Sequence, residues 1–396
     1  MTTSTPPAFR VTLADNTIGQ AEIDAVTQVL NSRWLSAGDV TRRFEEELAE
    51  ALGVHDAVAV SSGTAALHLA LLALGLRPGD EVVIPSLSFV ASAAVTALHG
   101  GIPVFADVRS VQDLTAAPAD VERLIGDRTR AVVVMHYGGH PAAVEEITAV
   151  ARAHGVPVVE DAAHAPMVHL PSGAALGTVG DVGCFSFFAT KNLTTGEGGL
   201  VVAQDSELLN RVRSMRSHCV SRSTWERAHG SALGYDVTGV GLNYRPTEIT
   251  AAIGRVQHRR LSEDRRIRHE LVVIYRELLA RIPEVEVPAE RAAGDSAHHL
   301  MAVLLPTGTD RDAVQHRLRK AGVQTTVHYP PTHLLRHYRS GDTSWRAAAA
   351  ARESLPVTES VADRLLSLPL HSRLSDEDVA YVVDSLSTAL YPRTGG

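Results

Sequence analysis

Of the 37 cationic Lys and Arg residues in this 396-residue chain, only Lys191 and Lys320 are lysines. Arginine keeps its charge permanently, whereas a desolvated lysine can lose its proton and react as an amine. Lys191 lies in FSFFATKNLTTGEGGLVV (185–202), behind an apolar run and ahead of glycines that permit close approach and positive φ. A snorkelling lysine at a strand end is the plain structural alternative. Lys320 falls in the last turn of a helix-like RDAVQHRLRKAG (311–322), where a cation suits the helix dipole and needs no chemical role.

Two other short stretches have residue types that could serve an amine. SSGTAAL (61–67) follows an apolar run and opens a helix pattern, so its small residues could bring backbone N–H groups to an anion. It could equally be an ordinary helix cap. VVEDAAHA (158–165) ends a buried strand on Glu160 and Asp161, with His164 three residues on. Ligands in parallel sheets bind at the carboxyl ends of strands, although an Asp there can also be a cap or half of an ion pair. Taken together, an anion cradle, a strand-end Asp and a strand-end Lys some 30 residues later are the parts of a pyridoxal phosphate site. The Lys forms an imine, the Asp keeps the pyridine nitrogen protonated, and the helix end takes the phosphate.

The surrounding elements must present those three stretches at one edge. AVAVSS (57–62), EVVIP (81–85), PVFADV (103–108), AVVVMH (131–136) and VPVVED (156–161) read as short buried strands. Helical patterns at 64–74 and 141–155 lie between them. This alternation predicts a mainly parallel α/β sheet covered on both faces. A helix-compatible stretch from 247 to 282, stopped by Pro283, is predicted to link a large domain (1–255) to a smaller C-terminal α/β domain (256–396). The latter holds a strand-like HHLMAVLLP (298–306).

Composition narrows the setting. Hydrophobic content of 45% suits a chain with an ample core, and a net charge of −8 argues against nucleic acid or a membrane surface as the main partner. Cys184 and Cys219 show no metal-type spacing, so no metal is expected and a reducing, cytoplasmic setting is. MTTSTPPAFR has no apolar leader pattern, and the most apolar run, residues 65–76, is too short to span a bilayer.

The chain resembles the DegT/DnrJ/EryC1/StrS family of sugar aminotransferases, which have the fold-type I pyridoxal-phosphate architecture. The resemblance is carried in order by SSGTAAL, PSLSFVASAAV, HYGGHPA, VVEDAAHA, FSFFATKNLTTGEGG, GLNYRPTEITAAIG, VHYPPTH and LSLPLHSRLSDEDV. It implies that Lys191 is the Schiff-base lysine and Asp161 the partner of the pyridine nitrogen. His164 stands where the family bonds the cofactor's phenolic oxygen, and Phe89 where an aromatic ring stacks on the cofactor. Gly63, Thr64 and Ser186 match phosphate contacts, and Asn243 matches a residue lent by the neighbouring subunit of a homodimer. His328, Tyr329 and Arg245 match positions near the sugar. Pro166 replaces a common glycine and leaves the Asp and His positions intact.

The resemblance also implies that L-glutamate donates an amino group to a nucleotide-linked keto-sugar. Segment 216–249 is similar to that of C4 enzymes acting on dTDP-4-keto-6-deoxyglucose. A C3 sugar or cyclitol ketone is an alternative. A sugar dehydratase would carry His in place of Lys191, and a pyridoxal-phosphate sensor would need an added DNA-binding domain.

Overall fold

Strands that read as unbroken apolar runs have to be covered on both faces, and the fold follows from that requirement. The computed structural model describes residues 9–222, 224–230, 234–288, 296–339 and 354–392. Residues 1–8 of the N-terminal stretch considered above, and parts of segment 216–249, lie outside the described residues.

Seven strands form one mixed sheet: β1 (Val58–Val60), β2 (Glu81–Pro85), β3 (Ile102–Ala106), β4 (Thr129–Met135), β5 (Val158–Asp161), β6 (Val182–Ser186) and β7 (Gly199–Ala203). Their order is β1-β7-β6-β5-β4-β2-β3. β7 runs antiparallel to both β1 and β6, and the other neighbours are parallel. β1, β5 and β6 therefore end at the same edge. The structure has the expected mainly parallel, helix-covered sheet. β7 was not anticipated, because GLVVA follows a glycine-rich loop and reads as its tail. The helices Gln20–Ser32 and Asp39–Leu52 were not anticipated either.

One face of the sheet buries Val58, Val60, Val82 and Ile84 under helix Gly63–Ala73, whose own residues are almost all buried. The other buries Val83, Val132 and Val134 under helices Pro118–Leu124 and Val144–Ala153. The alternation of side chains along β2 and β4 sends neighbours to opposite faces.

Beyond the sheet, a helix runs from Glu248 to Leu279, shorter than the 247–282 expected, because Thr247 caps it and the chain turns at Ala280. Its first half packs Ala251 and Leu261 on Phe44. Its second half packs Leu271, Tyr275 and Leu279 on a second core around β8 (Met301–Leu304) and β9 (Leu365–Leu368), which pair antiparallel. β8 is shorter than the 298–306 run predicted, because Ala297 and His299 donate their N–H groups to Gly139 and Gly138 instead of to a neighbouring strand. No helix among the described residues is long and apolar enough to cross a membrane.

Buried carboxylates fasten these parts from a distance. Glu248 accepts from the N–H groups of Gly38, Val40 and Thr41 and from the Thr41 hydroxyl, so it caps helix Asp39–Leu52 from another element. Asp107 takes the N–H groups of Val357 and Thr358 at the start of helix Pro356–Ala362 in the same way. Replacing Glu248 by Ala strands several donors and is expected to cost about 3 kcal/mol, with Gln at the same position costing less. Urea denaturation of the two variants should rank them in that order, and equal midpoints for Ala and wild type would refute the capping role.

Candidate active site

Asp161 closes β5 and Ser186 closes β6, two strands paired so that Asp161 lies opposite Cys184. Above this edge is a cavity of about 370 Å³, whose lining includes Asp161, Cys184, Ser186, Lys191, Phe89 and Gly63. Cys184 was not singled out from sequence. Its period-two spacing from Ser186 on one strand is the signal that would have found it.

The Asp161 carboxyl is 5% exposed. Burial pushes its pKa up, while the Ala163 N–H at 3.1 Å, Lys191 and His136 pull it back. Burial pushes the Lys191 amine down to about 8 against the upward pull of Asp161. The two groups thus face each other across one cavity, with the amine close to losing its proton at neutral pH. Lys320, in contrast, is exposed on helix Arg311–Lys320.

A brace lies behind Asp161. Glu160, fully buried, accepts from the N–H groups of Gly177, Val179 and Gly180 and from the Nε2–H of His136 at 2.9 Å. His136 Nδ1 accepts from the Ala142 N–H, which fixes that tautomer. Every lone-pair direction of the Glu160 carboxylate is used, so β5 and the loop leading into β6 are held together.

The anion cradle takes shape at the next strand end. Ser62 caps helix Gly63–Ala73 by accepting from the Ala65 N–H at 3.1 Å, which leaves the Gly63 and Thr64 N–H groups at the positive helix end. A Cβ on Gly63 would stand 2.7 Å from Ser186 Cβ, and one on Gly199 would stand 2.5 Å from the Ser62 carbonyl oxygen. Only glycine lets these backbones approach. This wall, together with the Asp161 carboxyl and the Lys191 amine, matches the three chemical demands of pyridoxal phosphate: an anion site, an acid for the ring nitrogen and an amine for the carbonyl.

The remaining wall is aromatic. His164 is 2.9 Å from Tyr329 Oη, and its ring lies 4.2 Å from that of His299. His299 Nδ1 is 2.8 Å from Asn192 Oδ1, and Asn192 donates to the Ala297 carbonyl. The residue next to Lys191 is thereby tied to the chain entering β8. His328 bonds Ser367 Oγ at 2.9 Å, and its carbonyl accepts from Tyr137 Oη. Phe89 stands at the mouth, 52% exposed, with its ring 5.6 Å from that of Tyr329. Sequence reading missed His299, Asn192 and Tyr137, whose partners lie more than 100 residues away.

Asn243 and Arg245 do not line this cavity. Arg245 donates to Ser217 Oγ and lines a separate groove with Arg216 and Trp225, and Asn243 is exposed. Among the described residues, no group of three His, Cys, Asp or Glu side chains could hold a metal.

The sequence pattern of the DegT/DnrJ/EryC1/StrS aminotransferase family matches residues 16–387. The chain is 38% identical to dTDP-4-dehydro-2,3,6-trideoxy-D-glucose 4-aminotransferase of Saccharopolyspora spinosa, over 94% of this chain and 95% of the relative. Its fold is similar to that of the crystal structure of the aminotransferase TlmJ from Streptoalloteichus hindustanus, with a TM-score of 0.87, 38% identity and coverage of 96% and 98%. It is also similar to the PLP-form of the putative sugar aminotransferase Spr1654 from Streptococcus pneumoniae, with a TM-score of 0.85, 26% identity and coverage of 96% and 98%.

An amine pushed down to about 8 should be labelled by an acylating reagent with a pH midpoint near that value, and mass spectrometry should find the label on Lys191. Asp161→Asn removes the carboxylate that holds the pKa up, so the midpoint should move lower still. An upward move would refute the electrostatic account.

Proposed function

Because the chain belongs to the DegT/DnrJ/EryC1/StrS aminotransferase family, we propose that it transfers an amino group from L-glutamate to the C4 ketone of dTDP-4-keto-6-deoxyglucose, giving a 4-amino-4,6-dideoxy sugar. That it is a pyridoxal-phosphate-dependent aminotransferase acting on a nucleotide-linked sugar follows from the family and its relatives. The observation that carries the chemistry is the Lys191 amine, lowered to about 8, facing Asp161 beside an anion cradle. The C4 assignment is supported by the 38% identical 4-aminotransferase of S. spinosa and by segment 216–249.

Bound in the cavity, pyridoxal phosphate supplies a carbonyl for amines and a ring that withdraws electrons from the carbon next to nitrogen. Gly63 and Thr64 N–H groups and Ser186 Oγ hold its phosphate. The Asp161 carboxylate keeps the ring nitrogen protonated, and its burial makes that charge pairing strong. Lys191 Nζ anchors the cofactor, gives way to an incoming amino group, and then moves a proton to or from the carbon bearing that group. One residue so performs both nucleophilic and acid–base work. His164 serves the side of the ring that bears the phenolic oxygen, Phe89 covers a ring face at the mouth, and His328 and Tyr329 meet the sugar side.

Asn243 and Arg245 gain a role if the protein is a two-fold dimer, in which their exposed loop enters the partner's cavity. Symmetry then makes the loan reciprocal.

With L-glutamate and dTDP-4-keto-6-deoxyglucose, NMR of the product should place the amine at C4. Turnover of only a 3-keto sugar or a cyclitol ketone would overturn the substrate assignment and leave the transamination intact. Sharing of the site is tested by mixing. Lys191→Ala and Asn243→Ala homodimers should both be impaired, the first more. A mixed dimer carries both lesions in one site and none in the other, so activity should recover to at most about half of wild type. Hetero-dimers seen by mass spectrometry without such recovery would refute the shared site.

A further inference from the structure

Two imidazoles stand where the catalytic cavity meets a smaller recess of about 50 Å³, since His299 and His328 line both. The hydrogen-bond partners of each ring fix where its proton sits. Asn192 Nδ2 donates to the Ala297 carbonyl, which turns Oδ1 toward His299 Nδ1 at 2.8 Å. Oδ1 can only accept, so the His299 proton is on Nδ1. Burial holds that ring well below its ordinary pKa, so it carries one proton and its Nε2 is a bare lone pair. His328 Nδ1 lies 2.9 Å from Ser367 Oγ. Ser367 is fully buried, and its hydroxyl has no other acceptor among the described residues. Accepting from His328 would strand the hydroxyl proton, so Ser367 donates to Nδ1 and the His328 proton is on Nε2. Burial lowers this ring to about 4, so it too is neutral at pH 7. Neither Nε2 has a partner among the described residues, and neither is shut away from solvent. The protein thus presents a bare nitrogen at His299 and an N–H at His328.

A ligand group that suits this pair must both donate and accept. A carboxylate would face the His299 lone pair, and an ammonium would face the His328 N–H. A hydroxyl satisfies both, donating to one ring and accepting from the other. Thr190, the residue before Lys191, lines the same two spaces, so the pair stands next to the reacting amine. Apart from Thr190, the rest of the recess is apolar, with Leu13, Leu368 and Leu370 among its walls. In a 4-keto-6-deoxyhexose the two carbons flanking the ketone bear a hydroxyl, at C3, and a methyl group, at C5. A polar pair beside an apolar recess matches that arrangement. We propose that His299 and His328 together bind the C3 hydroxyl of the keto-sugar and select for it. Asn192 and Ser367 are then positioning residues, which fix the nitrogen that accepts and the nitrogen that donates. This rests on the C4 substrate reading made above.

The test compares dTDP-4-keto-6-deoxyglucose with its 3-deoxy analogue on the cofactor-loaded protein. Wild type should prefer the hydroxylated sugar by about thirtyfold in kcat/KM, the worth of two neutral hydrogen bonds. His299→Phe and His328→Phe should each cut that preference to about fivefold, and the double variant should abolish it. General damage to the site slows both sugars alike and leaves the preference standing, so the ratio separates recognition from structure. Ser367→Ala frees the His328 proton to sit on either nitrogen and should reduce the preference about threefold. Ser367→Thr keeps the hydroxyl and should restore it. Where a variant does not turn over, the dissociation constants of the two 4-amino products carry the same comparison. Equal use of the two sugars by wild type, or a preference that survives both His substitutions, would overturn the proposal. NMR of the product distinguishes the two levels of failure. An amine placed elsewhere than C4, or no turnover of either sugar, sinks the substrate reading and this assignment with it. Amination at C4 without a preference sinks this assignment alone.

Discussion

The chemistry depends on holding an amine and a carboxylate in one dry cavity without letting either dominate the other. Full burial alone would drive Lys191 far down and leave Asp161 protonated, and close contact alone would freeze both as an ion pair. The structure lies between these limits, with burial the larger influence on both groups and their mutual attraction the correction. Position along the sheet sets that balance, so the strand register is a chemical parameter. Asp161 sits opposite Cys184, and β5 cannot slide against β6 while Glu160 grips the loop at 177–180.

The groups that react were legible in the sequence because their signals are local. Lys191 stood out in a chain that otherwise uses Arg, Asp161 ended an apolar run, and SSGT marked a helix start. The parallel sheet was legible for the same reason. What could not be read was whatever depends on partners far along the chain. Asn192 looks like an ordinary loop residue until His299 and Ala297 meet it, and Glu248 looks like a first-turn helix acid until it is seen to cap a helix some 200 residues earlier. β7 was hidden for a related reason: no helix separates it from β6, and the chain turns back through a glycine-rich loop to lie antiparallel between β6 and β1. The same holds for the Gly138 N–H, which donates to His164 Nδ1 from 26 residues earlier in the chain.

Glycine has a different task at each position around the cavity. Gly63 and Gly199 are needed for clearance, since a methyl group at either would strike Ser186 or the Ser62 carbonyl. Gly196, with φ of +79°, meets no neighbour within 4 Å and is needed for its backbone conformation alone. The GEGG run thus combines a bend and a close approach in four residues, and Gly199 pairs with Ser186, which lies against the helix start.

The helix Glu248–Leu279 runs unbroken for 32 residues, about 48 Å at 1.5 Å per residue. One end is pinned through Glu248 beside the loop that carries Asn243 and Arg245, and the other is embedded in the core around β8 and β9. A rod of that length is a lever: a tilt of ~5° at one end displaces the other by ~4 Å. Because the Glu248 end is the pinned one, a tilt of the rod moves the C-terminal core most and the Asn243 loop least.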